Sequence, residues 1–337
     1  MSRYNRPILV LGATGTVGAY STVYLKEKGF DIIASGRRKS DNGFFADFGI
    51  PYYSIDIKNQ DAFSVLANKN IGLIIHAAGI MPAAMRGYHP KEYIDSIVTG
   101  TLNVLEFGRK SGIDKIIFTH SRADSNYLMG TKNKILSDIE KKFPLTGDHS
   151  IYAICKNAAV DMLEHYYHEY GIKRFIFRLP TIYAYHPNMY FNVNGQRKSK
   201  AYCLIIEQAK SGQPVEIWGD PTREKEITYI KDLCQCFEKA IELPIDGGIY
   251  NIGRGVGVTL EEQILGIVEV FGGNKRSEII YRPDKPGGRQ FIHDISKTQE
   301  ELGYVPEYDY MNLLREYKSE MKLNRFCKLW GIEEDYE

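Results

Sequence analysis

Residues 8–18 read Ile8-Leu9-Val10-Leu11-Gly12-Ala13-Thr14-Gly15-Thr16-Val17-Gly18. An apolar run typical of a β-strand enters a glycine-rich turn, and an amphipathic helical pattern from Ala19 to Lys28 follows at once. Glycine lets a backbone turn tightly and approach a ligand, and the free N–H groups of a helix N-terminus attract anions. The spacing is Gly-x-x-Gly-x-x-Gly, whereas the better-known dinucleotide fingerprint is Gly-x-Gly-x-x-Gly. We expect a pyrophosphate-binding turn; a purely structural turn is the alternative.

Composition narrows the class of protein. The chain has 337 residues, which suits two domains or one domain with an elaborated lobe. Lys+Arg (43) and Asp+Glu (42) nearly balance, and no long basic run occurs, so we expect no nucleic-acid partner. We find no signal peptide and no apolar run of membrane-spanning length, and so expect a cytoplasmic protein with no membrane partner. The five scattered cysteines indicate neither a disulfide framework nor a metal site.

Strands and helices alternate in the first half. The predicted strands are Ile8–Leu11, Asp31–Ser35, Tyr52–Ile55, Leu73–His76, Lys115–Thr119 and Arg174–Arg178. The predicted helices are Thr16–Lys28, Gln60–Asn68, Pro90–Ser111 and Ile151–Tyr170. Repeated β-α-β units imply an α/β fold: a Rossmann-like, doubly wound parallel sheet that binds ligands at the carboxyl ends of its strands.

The second half has less parallel-sheet character. We assign residues 1–180 to a dinucleotide-binding domain, with short returning segments from about 226–258, and residues 181–337 mainly to a smaller α/β substrate-binding lobe. Residues 185–200 are predicted to form a loop or lid. Thr259 and Glu262 have the spacing of a capping box that begins a helix.

A Tyr/Lys pair is the candidate for proton transfer. Tyr152 and Lys156 are four residues apart in a helical run, so they share one face. An ammonium group nearby lowers the pKa of a phenol, which suits Tyr152 as a general acid/base at a sugar or alcohol oxygen. Ser121 follows the strand Lys115–Thr119 and is placed to hydrogen-bond the same oxygen. A chance helical spacing and an ordinary loop serine are the alternatives.

Taken in order, these motifs resemble one known family over about residues 7–320. The chain resembles an extended short-chain dehydrogenase/reductase of the NAD-dependent epimerase/dehydratase type. The matching segments are Gly12/Gly15/Gly18, Asp56-Ile57, His76-Ala77-Ala78-Gly79, Phe118-Thr119-His120-Ser121, Tyr152/Lys156, Arg178-Leu179-Pro180-Thr181-Ile182-Tyr183, Trp218-Gly219-Asp220, Tyr229-Ile230-Lys231-Asp232-Leu233 and Tyr250-Asn251-Ile252-Gly253.

The resemblance implies a role for several residues. Tyr152 would be the acid/base, Lys156 would bind the nicotinamide ribose, and Ser121 would orient the reacting oxygen. The remaining implied cofactor contacts are the glycine-rich turn (Gly12, Thr14, Gly15, Thr16, Val17 and Gly18), Asp56 and Ile57 beside the adenine, Ala77, Ala78 and Gly79, and Pro180 and Ile182 near the nicotinamide.

The residues after the second strand bear on the choice of cofactor. A carboxylate there favours NAD because it accepts from the ribose 2′-OH, whereas arginine accommodates the 2′-phosphate of NADP. The strand runs into Gly36-Arg37-Arg38-Lys39 with no carboxylate at its tip. We therefore expect Arg37 and Arg38 to favour NADP over NAD; a solvated basic loop is the alternative.

The resemblance also implies a nucleotide-sugar substrate. Lys225 and Arg289 stand where cations hold the diphosphate in such relatives, and Arg223 is a further candidate beside Lys225. Thr181 replaces a common asparagine, and His186 is a candidate second acid/base. Dehydratases of the family usually follow the catalytic hydroxyl with Asp-Glu, but Ser121 is followed by Arg122-Ala123, so we do not expect dehydration.

Three hypotheses of function stay open on the sequence. The first is an NAD(P)-dependent epimerase or ketoreductase of a nucleotide-activated sugar. The second is an NADP-dependent oxidoreductase of a non-sugar ketone or alcohol, and the third is a dinucleotide-binding sensor or scaffold without turnover. The resemblance further implies a homodimer packed through helices Pro90–Ser111 and Ile151–Tyr170, with Leu102, Leu105, Met162 and Tyr166 on the packing faces.

Overall fold

The computed structural model describes residues 4–82, 87–131, 133–193 and 195–336. The strands are β1 (Ile8–Leu11), β2 (Ile32–Gly36), β3 (Tyr52–Ser54), β4 (Leu73–His76), β5 (Lys115–Ser121), β6 (Lys173–Leu179), β7 (Thr181–Tyr183), β8 (Tyr190–Val193), β9 (Gln196–Ser199), β10 (Val215–Trp218), β11 (Glu224–Lys225), β12 (Ile227–Tyr229), β13 (Gly247–Asn251), β14 (Val258–Thr259) and β15 (Ile279–Arg282). The α-helices are α1 (Thr16–Glu27), α2 (Pro90–Tyr93), α3 (Gly100–Ser111), α4 (Asp148–Tyr170), α5 (Ala201–Ser211), α6 (Ile230–Glu242), α7 (Leu260–Phe271), α8 (Ser296–Leu302) and α9 (Tyr310–Leu323). A π-helical stretch, Ile94–Thr99, joins α2 to α3, and 3-10 helices form at Phe45–Phe48, Gln60–Leu66, Arg122–Leu128 and Glu333–Asp335.

The centre of the fold is a seven-stranded parallel sheet. Its order is β3-β2-β1-β4-β5-β6-β13, and every neighbouring pair is parallel. The strand order reverses between β1 and β4, and such a reversal leaves a crevice at the carboxyl ends of the strands. The expected Rossmann-like, doubly wound sheet is confirmed.

Two apolar clusters cover the faces of this sheet. Val10 packs into the cluster that includes α1 and α6, whereas Leu9 and Leu11 pack into the cluster that includes α3 and α4. Successive side chains of a strand point to opposite faces, so a strand covered on both sides must be apolar at every position. That requirement explains why residues 8–11 form an unbroken apolar run.

The second lobe contains a hairpin where we expected a loop. Strands β8 and β9 pair antiparallel, with Phe191 opposite Lys198. The residues of β9 are all exposed, and those of β8 are at most half-buried, so neither strand shows the alternating burial that marks a strand in sequence. The capping box at the start of α7 is present as expected, with Thr259 and Glu262 bonded to each other in both directions.

The C-terminal segment, residues 324–336, returns to the glycine-rich turn. Trp330 is buried, and its Nε1 donates to the carbonyl oxygen of Thr14 at 2.8 Å. Phe326 packs on Tyr20 of α1, with ring centres 4.5 Å apart. The far end of the chain is therefore part of the architecture around residues 12–18.

The helix faces expected to form a dimer are partly buried within the subunit. Leu105 is fully buried, and Tyr166 donates its hydroxyl to Glu106, so these two side chains belong to the subunit's own core. Leu102 is exposed and Met162 is half-buried. The expectation for Leu105 and Tyr166 is wrong because α3 packs directly against α4 in one chain. Among the described helices, none has the length and apolar character needed to cross a membrane.

Candidate active site

The glycine-rich turn joins β1 to α1. Gly12 has φ of +87°, and a Cβ placed on it would lie 2.8 Å from the carbonyl carbon of Ala77. A Cβ on Gly18 would lie 2.1 Å from the carbonyl oxygen of Gly12, so only glycine lets the first turn of α1 pack this closely. The helix N-terminus therefore lies against the turn, where its N–H groups suit an anion.

A cavity of about 690 Å3, here called the main cleft, opens at this turn. Among the residues expected to bind a cofactor, those that line it are Gly12, Thr14, Gly15, Thr16, Arg37, Asp56, Ile57, Ala77, Ala78 and Gly79. Those outside its lining are Val17, Gly18, Arg38, Tyr152, Lys156, Pro180 and Ile182. The opposite wall comes from the hairpin and the C-terminal segment, including Arg197, Glu333 and Tyr336. The cavity includes the glycine-rich turn, which suits the pyrophosphate of a dinucleotide.

The basic residues after β2 point in different directions. Arg37 is exposed and lines the main cleft. Arg38 is bound by the C-terminal segment: its Nη1 donates to the carbonyl oxygen of Leu329 at 2.8 Å, and its Nη2 lies 2.8 Å from Asp335 Oδ1. Arg37 and Arg38 look equivalent in the sequence, but in the structure Arg37 faces the main cleft and Arg38 contacts the C-terminal segment.

The candidate catalytic residues meet at the end of β5. Ser121 is the last residue of that strand, and its hydroxyl is close enough to Tyr152, in the first turns of α4, to influence the pKa of the phenol. Burial raises the pKa of Tyr152 to about 12, and the neighbouring Ser121 hydroxyl acts in the opposite direction. Tyr152 therefore carries its proton at neutral pH.

Lys156 is one turn further along α4. Its Nζ donates to the carbonyl oxygen of Thr119 at 2.8 Å, and burial lowers the pKa of its ammonium group to about 7. We expected Lys156 to lower the pKa of Tyr152, but burial dominates and raises it. The physical reason is that Lys156 directs its charge at Thr119, while Tyr152 sits in an apolar setting beside Tyr93.

A hydrogen-bonded path links this group to the main cleft. The Thr119 hydroxyl donates to the carbonyl oxygen of His76 at 3.3 Å. Ala77, which follows directly, lines the main cleft. The carboxyl ends of β4 and β5 thus place Lys156 near Ala77, which is part of the wall of the main cleft.

A buried ionic network that the sequence did not reveal supports the end of β5. Asp124 accepts from Arg178 Nη2 at 2.8 Å and lies 3.1 Å from His120 Nε2. Arg178 also donates to Asn251 Oδ1 at 3.0 Å, so the network joins β5, β6 and β13. Burial alone would raise the pKa of Asp124, but the contacts with His120 and Arg178 outweigh it and hold that pKa at about 2. Arg178 begins the Arg178–Tyr183 motif of the sequence, but its pairing with the buried Asp124 is visible only in the folded structure.

The substrate lobe gathers cations. Burial and, after it, the charges of Arg122 and Arg223 together lower the pKa of Lys225 to about 8. Arg122 lies over the Phe291 ring, with its guanidinium carbon 4.5 Å from the ring centre. Arg289 is exposed on the loop that follows β15. In sequence, Arg122 stands out only as a departure from the dehydratase motif, whereas in the fold its neighbours make it part of a cation cluster (Arg122, Arg223 and Lys225).

Arg223 has unused donors. Its Nε and Nη1 are buried and have no hydrogen-bond partner among the described residues. A Cβ on Gly288 would lie 2.6 Å from Arg223 Nη1, so the guanidinium packs against the glycines of the Pro283–Arg289 loop. Buried donors without partners are rare, and an anion satisfies them.

Two other expected substrate residues differ in their surroundings. Thr181 is in β7, which pairs with β12. His186 lines the main cleft, but its Nδ1 accepts from the Asn188 N–H at 2.9 Å and its ring lies 4.2 Å from the ring of Trp330. Burial lowers the pKa of His186 to about 3, so the ring is neutral at physiological pH. This environment argues against His186 as a second acid/base.

Comparisons with known proteins agree with this geometry. A putative UDP-glucose 4-epimerase of Methanocaldococcus jannaschii is 26% identical, with 94% of this chain and 99% of the relative covered. A UDP-glucuronate 4-epimerase of Thermodesulfobacterium geofontis is 28% identical over 76% of this chain and 74% of its own length.

Solved structures have the same fold. The UDP-glucose 4-epimerase of Thermotoga maritima with UDP-glucose superposes with a TM-score of 0.75 at 24% identity, covering 94% of this chain and 99% of its own. The UDP-glucuronic acid 4-epimerase of Bacillus cereus in complex with NAD gives a TM-score of 0.70 at 21% identity, with 94% and 99% covered. The sequence pattern of the NAD dependent epimerase/dehydratase family matches residues 8–253. With the pattern spanning the glycine turn, Ser121, the Tyr152/Lys156 pair and β13, this chain belongs to the NAD-dependent epimerase/dehydratase family.

Proposed function

We propose that this protein is an epimerase that inverts carbon 4 of a UDP-activated sugar with a nicotinamide dinucleotide. The observation that carries the proposal is the meeting of Ser121 and Tyr152 at the carboxyl end of β5, beside β4, whose following residues line a cleft with a glycine-rich turn. The 4-epimerase relatives that match over most of this chain support the substrate class and the reaction.

In this proposal Tyr152, Ser121 and Lys156 have separate roles around the bound dinucleotide and sugar. A nicotinamide dinucleotide supplies reversible hydride transfer when bound. Inversion at carbon 4 begins with loss of the proton of the C4 hydroxyl, so Tyr152 would accept that proton as the base and return it to the same oxygen as the acid once the configuration has changed. Burial raises the pKa of its phenol to about 12, which favours the return step. Ser121 holds the same oxygen by hydrogen bonding. Lys156, held by Thr119, is the residue for the nicotinamide ribose.

The cation cluster is the proposed diphosphate site. Arg223 has two buried donors to offer, and Lys225 and Arg122 add charge beside it, with Arg289 on the neighbouring loop. Lysine provides charge without the bidentate fork of arginine, so Arg223 is the residue best suited to grip a phosphate. This assignment makes residues 181–337 mainly the substrate lobe.

The assembly and cofactor preference are further parts of the proposal. We infer a cytoplasmic homodimer packed through α3 and α4, with the exposed Leu102 and the half-buried Met162 on the face. The NADP preference expected from Arg37 and Arg38 has the support of Arg37 alone, since Arg38 is bound elsewhere.

Substituting Tyr152→Phe tests the proposal. Wild-type protein and the variant are incubated with UDP-glucose or UDP-glucuronate, the nucleotide sugars are separated by anion-exchange chromatography, and the bound dinucleotide is quantified by mass spectrometry. We expect the variant to lose about 100- to 10,000-fold in turnover, the range of general acid/base catalysis, with unchanged dinucleotide content. Tyr167→Phe is the matched control, because Tyr167 is on the solvent side of α4, bonded to Asp246.

The outcomes separate the three hypotheses. Equal turnover of Tyr152→Phe and wild type would refute the assigned role of Tyr152. If UDP-sugars are not converted but a non-sugar alcohol is oxidised with the dinucleotide, the protein would be the oxidoreductase of the second hypothesis. Stoichiometric dinucleotide binding with no turnover of any alcohol, ketone or nucleotide sugar tested would favour the sensor.

A further inference from the structure

The cation cluster is built around the backbone of one short segment. Lys225 pairs with Phe291 in an isolated bridge between the two backbones, and the guanidinium carbon of Arg122 lies 4.5 Å from the centre of the Phe291 ring. Burial lowers the pKa of Lys225, and the charges of both Arg122 and Arg223 contribute to this. Lys225 is thus a close neighbour of both arginines.

The acidic residues near the cluster in sequence do not neutralise it. Glu226 follows Lys225, but its carboxylate is fully buried and accepts backbone N–H groups instead. Asp220 is exposed, and its charge acts on Arg223. In the part of the chain that the structure describes, no carboxylate forms an ion pair with any of the three cations, Arg122 included. A half-buried group of like charges without a counter-charge favours an anionic ligand.

Arg122 has one edge of its guanidinium available for such a ligand. Its Nη1 donates to Asn126 Oδ1 at 2.7 Å and lies 3.3 Å from Met129 Sδ. Its Nε and Nη2 have no acceptor within the described residues. These two groups form a flat edge that can donate to both oxygens of one carboxylate. The ring of Phe291, over which the guanidinium lies, restricts the orientation of that edge.

Arg122 also lies at the sugar end of the cluster. It follows Ser121 directly, so their Cα atoms are about 3.8 Å apart, and Ser121 is the residue proposed to hold the oxygen on carbon 4. In a hexose, carbon 6 is attached to carbon 5, the neighbour of carbon 4. Arg223 and Lys225 already match the charges of the two phosphates. Arg122 therefore gains an anionic partner when carbon 6 of the sugar is a carboxylate.

We propose that the substrate is a UDP-hexuronic acid, and that Arg122 binds its C6 carboxylate and makes the site prefer it to a neutral UDP-hexose. Nε and Nη2 of Arg122 donate to the two carboxylate oxygens, while Arg223 and Lys225 bind the diphosphate. A neutral hexose leaves the half-buried charge of Arg122 unpaired, which is the physical source of the preference. This inference rests on the nucleotide-sugar site of the proposed function and names the class of sugar.

Steady-state kinetics with UDP-glucuronate and UDP-glucose test the inference. We expect the dinucleotide-loaded wild type to have a kcat/KM for UDP-glucuronate about tenfold or more above that for UDP-glucose. Arg122→Met should lower this ratio about 10- to 100-fold, the effect of losing one charged hydrogen-bonded pair. Arg122→Lys keeps the charge without the flat edge and should recover part of the ratio. Lys134→Gln is the matched control, since Lys134 is an exposed cation further along the same segment and should leave the ratio unchanged.

Calorimetric titration distinguishes a carboxylate partner from a phosphate partner. UDP has the phosphates but no sugar, so Arg122→Met should weaken binding of UDP-glucuronate about tenfold more than binding of UDP. Equal losses for the two ligands would assign Arg122 to the diphosphate and overturn the inference. Equal kcat/KM values for the two sugars in wild type would also overturn it, as would an unaltered ratio in Arg122→Met.

The binding data also separate this inference from the proposed function. Folded, dinucleotide-loaded protein that epimerises neither sugar would overturn the proposed reaction. The inference would still stand if UDP-glucuronate bound about tenfold more tightly than UDP-glucose and lost this advantage in Arg122→Met. Equal binding of the two sugars by wild type would overturn the inference as well.

Discussion

Replacing Lys156 by methionine should stabilise the fold at pH 7 while removing a proposed functional group. The Lys156 side chain is 6% exposed, and burial lowers the pKa of its ammonium group from 10.5 to about 7. Its compensating contacts are one hydrogen bond to Thr119 and a position 4.4 Å from the centre of the Phe118 ring. Methionine has similar length and no charge to desolvate.

The size of the effect follows from proton linkage. The unfolded chain keeps a proton on Lys156 up to about pH 10.5 and the folded chain only up to about pH 7, so stability falls as the pH falls through this window. At ~1.36 kcal/mol per pKa unit, the gap costs about 4 kcal/mol at pH 7. The hydrogen bond to Thr119 and the contact with the Phe118 ring offset about 2 to 3 kcal/mol of this cost. Lys156→Met should therefore raise the free energy of unfolding by about 1 to 2 kcal/mol.

Lys115 provides the contrasting variant. It is also buried, and its pKa is lowered to about 8, but its Nζ donates to three carbonyl oxygens at the end of α6, those of Ala240, Ile241 and Leu243. Lys115→Met leaves these three carbonyl oxygens without a donor and should lower the free energy of unfolding by about 2 to 4 kcal/mol. Urea-induced unfolding at pH 7 and pH 10 measures both variants. The gain from Lys156→Met should shrink by pH 10, where less of the lysine in the unfolded chain is charged.

A Lys156→Met variant that lowered the unfolding free energy as much as Lys115→Met does would show that the buried charge of Lys156 does not destabilise the fold. A Lys156→Met effect that was the same at pH 7 and pH 10 would also refute this account, because the desolvated charge would then not be its source. Dinucleotide binding, measured separately, should weaken in Lys156→Met and stay unchanged in Lys115→Met.

Three further predictions address other parts of the molecule. Gly18→Ala puts a Cβ 2.1 Å from the Gly12 carbonyl oxygen, so calorimetry should show dinucleotide affinity about tenfold or more weaker, and unchanged affinity would contradict the close packing. Asp124→Asn leaves the buried Arg178 charge without its partner and should cost about 3 to 5 kcal/mol in thermal unfolding at pH 7. Because the pKa of Asp124 is held at about 2, the contribution of its charge is present above about pH 4 and lost as the pH falls toward 2, so Asp124→Asn and wild type should converge at low pH. Arg223→Met should raise KM for a UDP-sugar about tenfold with dinucleotide affinity unchanged; an unchanged KM would place the diphosphate elsewhere.

Much of the sheet was predictable because its signals are local. The apolar run of β1 and the glycines after it are adjacent in sequence, and they specify the turn directly. The same holds for the Thr259–Glu262 capping box at α7. Ser121, Tyr152 and Lys156 could be proposed as one site from sequence, because a strand end and a helical spacing predict their positions without knowledge of distant contacts.

What the sequence missed depends on residues far apart in the chain. The Trp330–Thr14 hydrogen bond and the Arg38–Asp335 pair each join positions about 300 residues apart. No periodicity connects such positions, so Arg38 looked equivalent to Arg37. The low pKa of Asp124 and the raised pKa of Tyr152 likewise follow from burial, which propensity does not report.

Epimerisation at this site is tested most directly by the fate of a UDP-sugar mixed with the purified protein alone, with no added oxidant or reductant. Proton NMR resolves the two configurations at carbon 4. We predict that UDP-glucose or UDP-glucuronate converts to its 4-epimer over many turnovers until the two forms reach equilibrium. An unchanged nucleotide sugar, in protein shown to be folded and loaded with dinucleotide, would contradict the assignment of this site to epimerisation.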